Sequence, residues 1–419
     1  MFVVIHEEAL SRIRDRADAG DAGWGGALTG RVVDNGDVVR ITGIADAFDE
    51  DGAIGRWGRL DLDTEPSLSL LAQAGPGAVA IFVARDPESL WVGVRTEKGW
   101  TQTDYDVIRL HADFASRLDG LFDTAYLAGK TVAVIGLGTG GSVAAVELAK
   151  NGVGRFRLVD FDRLETHNVA RHACGLRDIG RYKTRALADL LRDKHPAVQV
   201  ETHEFNVLQD RDRLTQVIRG SDLVVAATDS EASKRAINEV CWSHGVPAVY
   251  GAAYDRAFGG DVLRVIPPDT PCYECFYKEI AELFDTAPKK TIDYSSADPT
   301  KVVAEPGLGL DVAFIALIQT KMALLTLLRG TRSTLEDFPK HYVMWGNRCE
   351  WIFEQPLQSL FLEVAVNPTC PVCRREAYLA QELGMTPDEA RTQGQQVLAE
   401  VEALEAVAIE GIKSSKDKA

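Results

Sequence analysis

The chain of 419 residues is 46% hydrophobic and 26% charged, proportions of an ordinary globular enzyme with room for two or three domains. Its formal net charge of -16 argues against broad binding to a nucleic-acid backbone, which takes clustered Lys and Arg, but leaves a local basic pocket for a nucleotide open. No charged-then-apolar leader opens the sequence, and its longest apolar stretch, Val312 to Leu328, is broken by Gln319 and Lys321, so a cytoplasmic protein without a membrane span is expected.

Residues 1–115 read as a small α+β domain. Leu10 and Ile13 have the spacing of a first amphipathic helix. Val32-Val33 and Val38 to Ile41 flank Asp34-Asn35-Gly36-Asp37, and Asn-Gly between apolar runs predicts a hairpin. Ala78 to Val83 and Leu90 to Val94 read as strands, and Ile108 to Leu127 as a helix that bridges into the next domain.

Residues 116–375 form the second domain. Thr131 to Ile135 is a continuous apolar run, as a parallel strand covered on both faces requires. Glycines and a helix from Ser142 to Asn151 follow, then strands at Phe156 to Asp160, Gln199 to His203, Leu223 to Ala227 and Ala248 to Tyr250. This rhythm predicts a Rossmann-type doubly wound α/β sheet. Two cysteine pairs bracket the remainder, which holds a crossover loop from Phe284 to Pro306 and a helix from Leu310 to Arg329. Strands are expected near His341 to Trp345 and Glu350 to Phe353, and residues 376–419 read as a helical, fraying tail.

Gly136-Leu137-Gly138-Thr139-Gly140-Gly141 follows a predicted strand and opens a predicted helix. Glycines there let the backbone turn tightly and approach a phosphate, with the helix N-terminus aimed at it. Asp160 and Asp162 stand at the end of the second strand, where an acid can bond a ribose hydroxyl. The loop alone would suit NAD or FAD as well.

The residues that follow discriminate. After Asp160-Phe161-Asp162 come Glu165, Asn168, Arg171 and His172, then Gly180-Arg181-Tyr182-Lys183, and later Ala227-Thr228-Asp229 at a strand end. With the cysteine pairs, this stretch resembles the ThiF, MoeB and HesA adenylyltransferases, relatives of the ubiquitin-activating enzymes, over about residues 115–375. The resemblance implies an enzyme that uses ATP and Mg2+ to activate a carboxylate as an acyl-adenylate. Gly136, Gly138 and Gly141 would line the ATP site with Asp160, and Asp162 would hold the ribose. Asn168, Arg171 and Lys183 would contact the triphosphate, and Asp229 would help bind Mg2+.

These residue types suit the chemistry. A carboxylate attacks the α-phosphate in line and pyrophosphate leaves, so fixed cations stabilise the charge that builds on oxygen, and no general base is needed. Singly, each has a plainer role: Asp162 and Asn168 as caps, Arg171 and Lys183 as solvated charges. Their joint order carries the functional reading, while His172 reads as structural. Many relatives are homodimers in which a second arginine reaches the phosphates from the partner subunit, and Arg117 is the nearest candidate here.

Cys272-Tyr273-Glu274-Cys275 and Cys370-Pro371-Val372-Cys373 have the knuckle spacing of a closed, structural four-thiolate zinc site. Relatives that acylate themselves carry a cysteine in the crossover loop, and none occurs here between Phe276 and Arg348, which argues against thioester transfer. Cys174 is the alternative nucleophile, although a small buried thiol is the commoner role, and Cys241 and Cys349 read as core. Gly23 to Arg31, after a helix carrying Glu7 and Glu8, resembles the opening of a JAB/MPN metalloprotease domain. Only His6 and His111 precede residue 115, so that domain would be degenerate and kept for docking or dimerisation. The expected substrate is the C-terminal glycine of a ubiquitin-like or sulfur-carrier protein. The alternatives are a peptide or tRNA-linked carboxylate, or a catalytically silent partner-binding scaffold.

Overall fold

Short apolar runs become two eight-stranded sheets among the described residues, one in each of the units into which the chain divides, Met1–Arg117 and Leu118–Ala419. The structure, a computed structural model, describes residues 2–19, 23–33, 37–45, 53–60, 65–73, 77–84, 89–109, 114–284, 286, 307–386, 388–389 and 391–392.

In the first unit the strands are β1 (Phe2–His6), β2 (Gly23–Val33), β3 (Val38–Ala45), β4 (Ala53–Arg59), β5 (Val79–Val83), β6 (Leu90–Thr96), β7 (Gly99–Gln102) and β8 (Tyr105–Ile108). They lie in the order β7-β6-β5-β4-β2-β3-β1-β8. Helix α1 (Glu7–Ala19) buries Ala9, Leu10, Ile13 and Ala17. Val33 and Val32 pair with Val38 and Val39 as the hairpin pattern requires, and the turn residues 34–36 lie outside the described residues. The apolar opening run is a strand, paired in parallel with both β3 and β8.

The second unit contains β9 (Thr131–Ile135), β10 (Arg155–Val159), β11 (Gln199–His203), β12 (Leu223–Ala226), β13 (Ala248–Ala253), β14 (Gly259–Val265), β15 (Tyr342–Gly346) and β16 (Gln358–Leu362). Their order is β11-β10-β9-β12-β13-β14-β15-β16, parallel from β11 to β13 and antiparallel from there to β16. The helices are α2 (Thr124–Ala128), α3 (Thr139–Lys150), α4 (Lys183–Lys194), α5 (Arg211–Ile218), α6 (Glu231–Ser243), α7 (Tyr273–Phe284), α8 (Gly309–Leu327) and α9 (Arg375–Leu383).

Strand alternation sorts the core into two layers. Val132 and Val134 of β9 face a cluster with Ala144 and Leu148 of α3, Leu187 of α4, and Ile315 and Met322 of α8. Ala133 and Ile135 face the opposite cluster, with Leu214 of α5, Ile237 of α6 and Phe276 of α7. Because the chain leaves β9 for β10 on one side while β12 lies on the other, the ends of β9, β10 and β12 form a switch point, where doubly wound sheets bind ligands. Helix α8 is long and apolar enough to cross a membrane by composition, yet it packs against the sheet and buries Gln319, whose Nε2 donates to the carbonyls of Ala226 and Val249.

Two elements differ from the sequence expectation. The bridging helix expected from Ile108 to Leu127 is interrupted: 110–113 lie outside the described residues, Phe114 and Ala115 are helical, and turns at 116–121 precede the single-turn α2, because Gly120 adopts φ +85° and Asp123 caps a new helix start. Glu350 to Phe353 is a turn with Trp351 at φ +59°, and the strand lies later, at β16. There Trp351 stacks on Phe284 at 5.6 Å and donates to Thr286 Oγ1, so aromatic packing outweighs strand propensity. The crossover loop, 287–306, and most of the tail, 393–419, lie outside the described residues.

Helix α3 approaches β9 so closely that a Cβ on Gly141 would lie 1.8 Å from the Gly136 carbonyl oxygen. Gly141→Ala is therefore expected to cost about 1–3 kcal/mol or more in overpacking. A lowered urea midpoint at unchanged slope would register it.

Candidate active site and metal centre

Gly136 follows β9 at φ +86°, and a side chain there would strike the backbone of Ala227 and Thr228 at 2.8–2.9 Å. Gly138 and Gly140 have open space where a Cβ would be. The loop thus presents bare backbone at the start of α3, whose first amides lack helical partners and favour an anion.

Asp160 fastens this loop from the end of β10. Its Oδ2 accepts from Leu137 N at 2.7 Å and its Oδ1 from Asp162 N at 2.8 Å. Burial pushes its carboxyl above the usual range, against the pull of Lys183 and the two amides. Asp162 is half exposed and receives Lys183 Nζ at 2.7 Å, while the Lys183 side chain is only 9% exposed.

A second clamp holds the segment that carries Arg171. His172 Nδ1 accepts from Cys174 N at 3.0 Å, so Nε2 carries the proton and donates to the Leu137 carbonyl at 2.9 Å. Ser142 Oγ accepts from Ala173 N, bolting the same segment to α3. Arg171 is half-buried, and among the described residues its guanidinium has no hydrogen bond or ion pair. Asp229, at the exit of β12, is exposed and likewise makes no such bond among the described residues.

These elements enclose a cavity of about 610 Å3 lined by Gly136, Gly138, Asp160, Asp162, Arg171, Lys183 and Asp229. Two expected contributors are absent from its lining. Gly141 packs behind the loop, and Asn168 caps a 3-10 turn by accepting from Glu165 N at 2.9 Å. Gly140 takes the place assigned to Gly141. The cavity also takes in Phe205 to Leu208, Gln319 and Lys234, which sequence reasoning missed. The signal for Lys234 was a lysine on the same buried helix stripe as Ile237 and Cys241. Arg117 is exposed in the turn that ends the first unit.

The cysteines separate by environment. Cys174 is buried, and burial with Asp178 nearby pushes its thiol up to about 12, far from a reactive thiolate. Cys241 is fully buried. Cys349, expected in the core, is instead exposed in the turn after β15, with its Sγ toward the Glu354 carbonyl.

Cys272, Cys275, Cys370 and Cys373 bring their sulfurs within 4.8 Å of one another. The separations of 3.9 Å (Cys272 to Cys275), 3.5 Å (Cys272 to Cys370) and 3.4 Å (Cys275 to Cys373) are too long for disulfides. They approach the ~3.8 Å edge of a tetrahedron with zinc–sulfur bonds of about 2.3 Å, so the four thiolates fit Zn2+. Asn367 N donates to Cys275 Sγ at 3.4 Å, orienting one ligand.

Two outcomes follow from this geometry. Cys370→Ser is expected to remove zinc measured by metal analysis and to lower the melting midpoint by about 10 °C or more. Burial holds the His172 imidazole below its ordinary 6.5. The unfolded histidine protonates as pH falls through about 6.5 and the folded one only lower, so this stabilisation is complete above that pH and declines beneath it. His172→Gln should flatten the melting curve against wild type between about pH 7 and pH 5.

Residues 117–357 match the family model described as the ThiF family, more than half of the chain. Over 152 residues the chain is 37% identical to a SAMP-activating enzyme E1 of Haloferax volcanii, covering 36% of this chain and 54% of that protein. Over 156 residues it is 31% identical to a ubiquitin-like modifier-activating enzyme 5 of Drosophila willistoni, covering 35% and 38%. The chain thus spans about half or less of the length of these curated relatives. A solved structure of E. coli MccB with MccA-N7isoASN aligns at a TM-score of 0.46 and 19% identity, covering 60% of this chain and 69% of that one. The glycine loop, the Arg171 segment, Lys183 and Asp229 all fall within the matched residues, and the chain belongs to the ThiF family.

Proposed function

We propose that this protein is an ATP-dependent adenylyltransferase that activates the C-terminal carboxylate of a ubiquitin-like or sulfur-carrier protein. The observation that carries the reading is the convergence, in one cavity, of a bare glycine loop, Arg171 with no ion pair among the described residues, the buried Lys183 and the exposed Asp229. Family membership and the names of the curated relatives support the same class of substrate.

In this reading the α3 amides and Arg171 hold the polyphosphate. An ammonium has three donors, so Lys183 keeps its bond to Asp162 while offering others to phosphate oxygens. Asp162 retains its second oxygen for a ribose hydroxyl. Asp229 and the phosphates would hold Mg2+, a carboxylate-plus-substrate set that suits this ion. When bound, Mg2+ neutralises charge on the polyphosphate. The substrate carboxylate enters already ionised and attacks the α-phosphorus, the bond to pyrophosphate breaks, and Arg171 and Lys183 stabilise the charge on the departing and non-bridging oxygens.

With Cys174 buried and protonated, the acyl-adenylate passes to an outside acceptor rather than to a cysteine of this site. A homodimer in the cytoplasm, with Arg117 reaching the partner's phosphates and the first unit serving docking or dimerisation, completes the proposal.

ATP–pyrophosphate exchange tests it, with Gly-Gly-ended carriers and short peptides as candidate substrates. Exchange should require the intact carboxylate of one of them. Arg171→Ala and Asp229→Ala should each lower it about 100-fold or more. Absence of exchange with ATP still bound would favour the scaffold alternative, and failure to bind ATP would defeat the proposal.

A further inference from the structure

Lys234 is a cation in this cavity that neither the glycine loop nor the phosphate contacts explain. It lies one turn into α6, after the N-cap Ser230, and its side chain is only 4% exposed. Burying an ammonium costs several kcal/mol unless partners compensate. Here Nζ meets one carboxylate oxygen, Glu231 Oε1 at 3.0 Å, and that glutamate is itself 47% exposed. A buried ammonium with one hydrogen bond, lining a cavity, is placed to meet a ligand.

The surroundings indicate which ligand. Asp261 of β14 lies within electrostatic reach of Lys234, and it pairs across the sheet with Ala252 of β13. Lys234 lines the same cavity as Gly251, Ala252 and Ala253 of β13. Across that wall the lining comes from Val312, Ile315 and Ala316 of α8, and the neighbouring Gln319 amide already spends both donors on Ala226 and Val249. A substrate chain that enters this cavity would bring its terminal carboxylate within reach of the Lys234 ammonium.

Lys234 is also held from the metal centre. Glu231 Oε2 accepts from Tyr273 OH at 2.6 Å, and Tyr273 sits between the zinc-type ligands Cys272 and Cys275. Tyr273 N donates to Asn238 Oδ1, and Arg235 grips Glu274 with two bonds of 2.7 Å, so the knuckle and α6 are joined at three places.

We propose that Lys234 binds the terminal carboxylate of the substrate directly, and that Glu231 and Tyr273 are positioning residues that tie this subsite to the metal centre. The inference rests on the adenylation reading and adds to it the residue that receives the nucleophile.

The test is calorimetric binding of a peptide ending in Gly-Gly, prepared as free acid and as carboxamide, to the full chain with a non-hydrolysable ATP analogue. Wild type should prefer the acid by about tenfold or more, the size of a charge-assisted hydrogen bond. In Lys234→Met the preference should collapse to within about twofold, with affinity for the analogue alone unchanged. Lys234→Arg should retain most of it. Tyr273→Phe should weaken the preference while zinc content stays at its wild-type value, and it serves if the methionine variant does not fold. An acid preference that survives Lys234→Met or Tyr273→Phe would overturn the inference and leave the adenylation proposal standing. A wild type that binds the analogue but neither peptide, and shows no exchange with any carrier, would remove both.

Discussion

The second unit depends on how closely α3 is drawn onto the end of β9. The Gly136 carbonyl occupies the space that a side chain at position 141 would need, and Gly136 in turn lies against the backbone of Ala227 and Thr228. Backbone packed on backbone at this distance brings the amides of a helix start to the mouth of the sheet, where a polyphosphate can meet them. Asp160 and His172 then fix the loop from two sides, one through the Leu137 amide and the other through its carbonyl. One residue, Leu137, is therefore held by both its donor and its acceptor, and the segment carrying Arg171 is positioned by the same bond that positions the loop.

Electrostatic placement follows from that framework. The chain is strongly acidic as a whole, with a formal net charge of -16, yet the cavity gathers Arg171, Lys183 and Lys234. Their surroundings differ. Lys183 is buried against Asp162, Lys234 against Glu231, and Arg171 has no such partner among the described residues. A charge held without an internal partner keeps its full attraction for a ligand, while a paired one is fixed in place at some loss of field. Two anchored ammoniums and a guanidinium with no such partner among the described residues suit the proposed binding of a polyanion and a carboxylate.

The four-cysteine centre works at a distance from this chemistry but not independently of it. Its sulfurs join residues 98 apart in sequence, Cys272 with Cys370 and Cys275 with Cys373, and so close the far end of the unit around the antiparallel strands. Through Tyr273 and Glu274 the same turn grips α6, the helix that begins just after Asp229. A four-cysteine cluster that joins two segments is thereby also tied to the helix that lines the cavity.

The sequence by itself determined what depends on neighbours along the chain. Apolar runs marked β9 to β13 to within a few residues, the glycine spacing marked the phosphate-type loop, and the two Cys-x-x-Cys pairs marked the ligand set now found within 4.8 Å. Each of these is a short-range pattern imposed by backbone geometry or by a knuckle turn. Only the tertiary structure decided which side chains share the cavity. It turned Asn168 to a cap, moved Gly141 behind the loop, exposed Cys349 and brought in Lys234 from a stripe that otherwise reads as core. It also replaced a strand at Glu350 to Phe353 with an aromatic-packed turn. Such outcomes depend on contacts between residues tens of positions apart, whose energies exceed local propensities and leave no periodic trace in the chain.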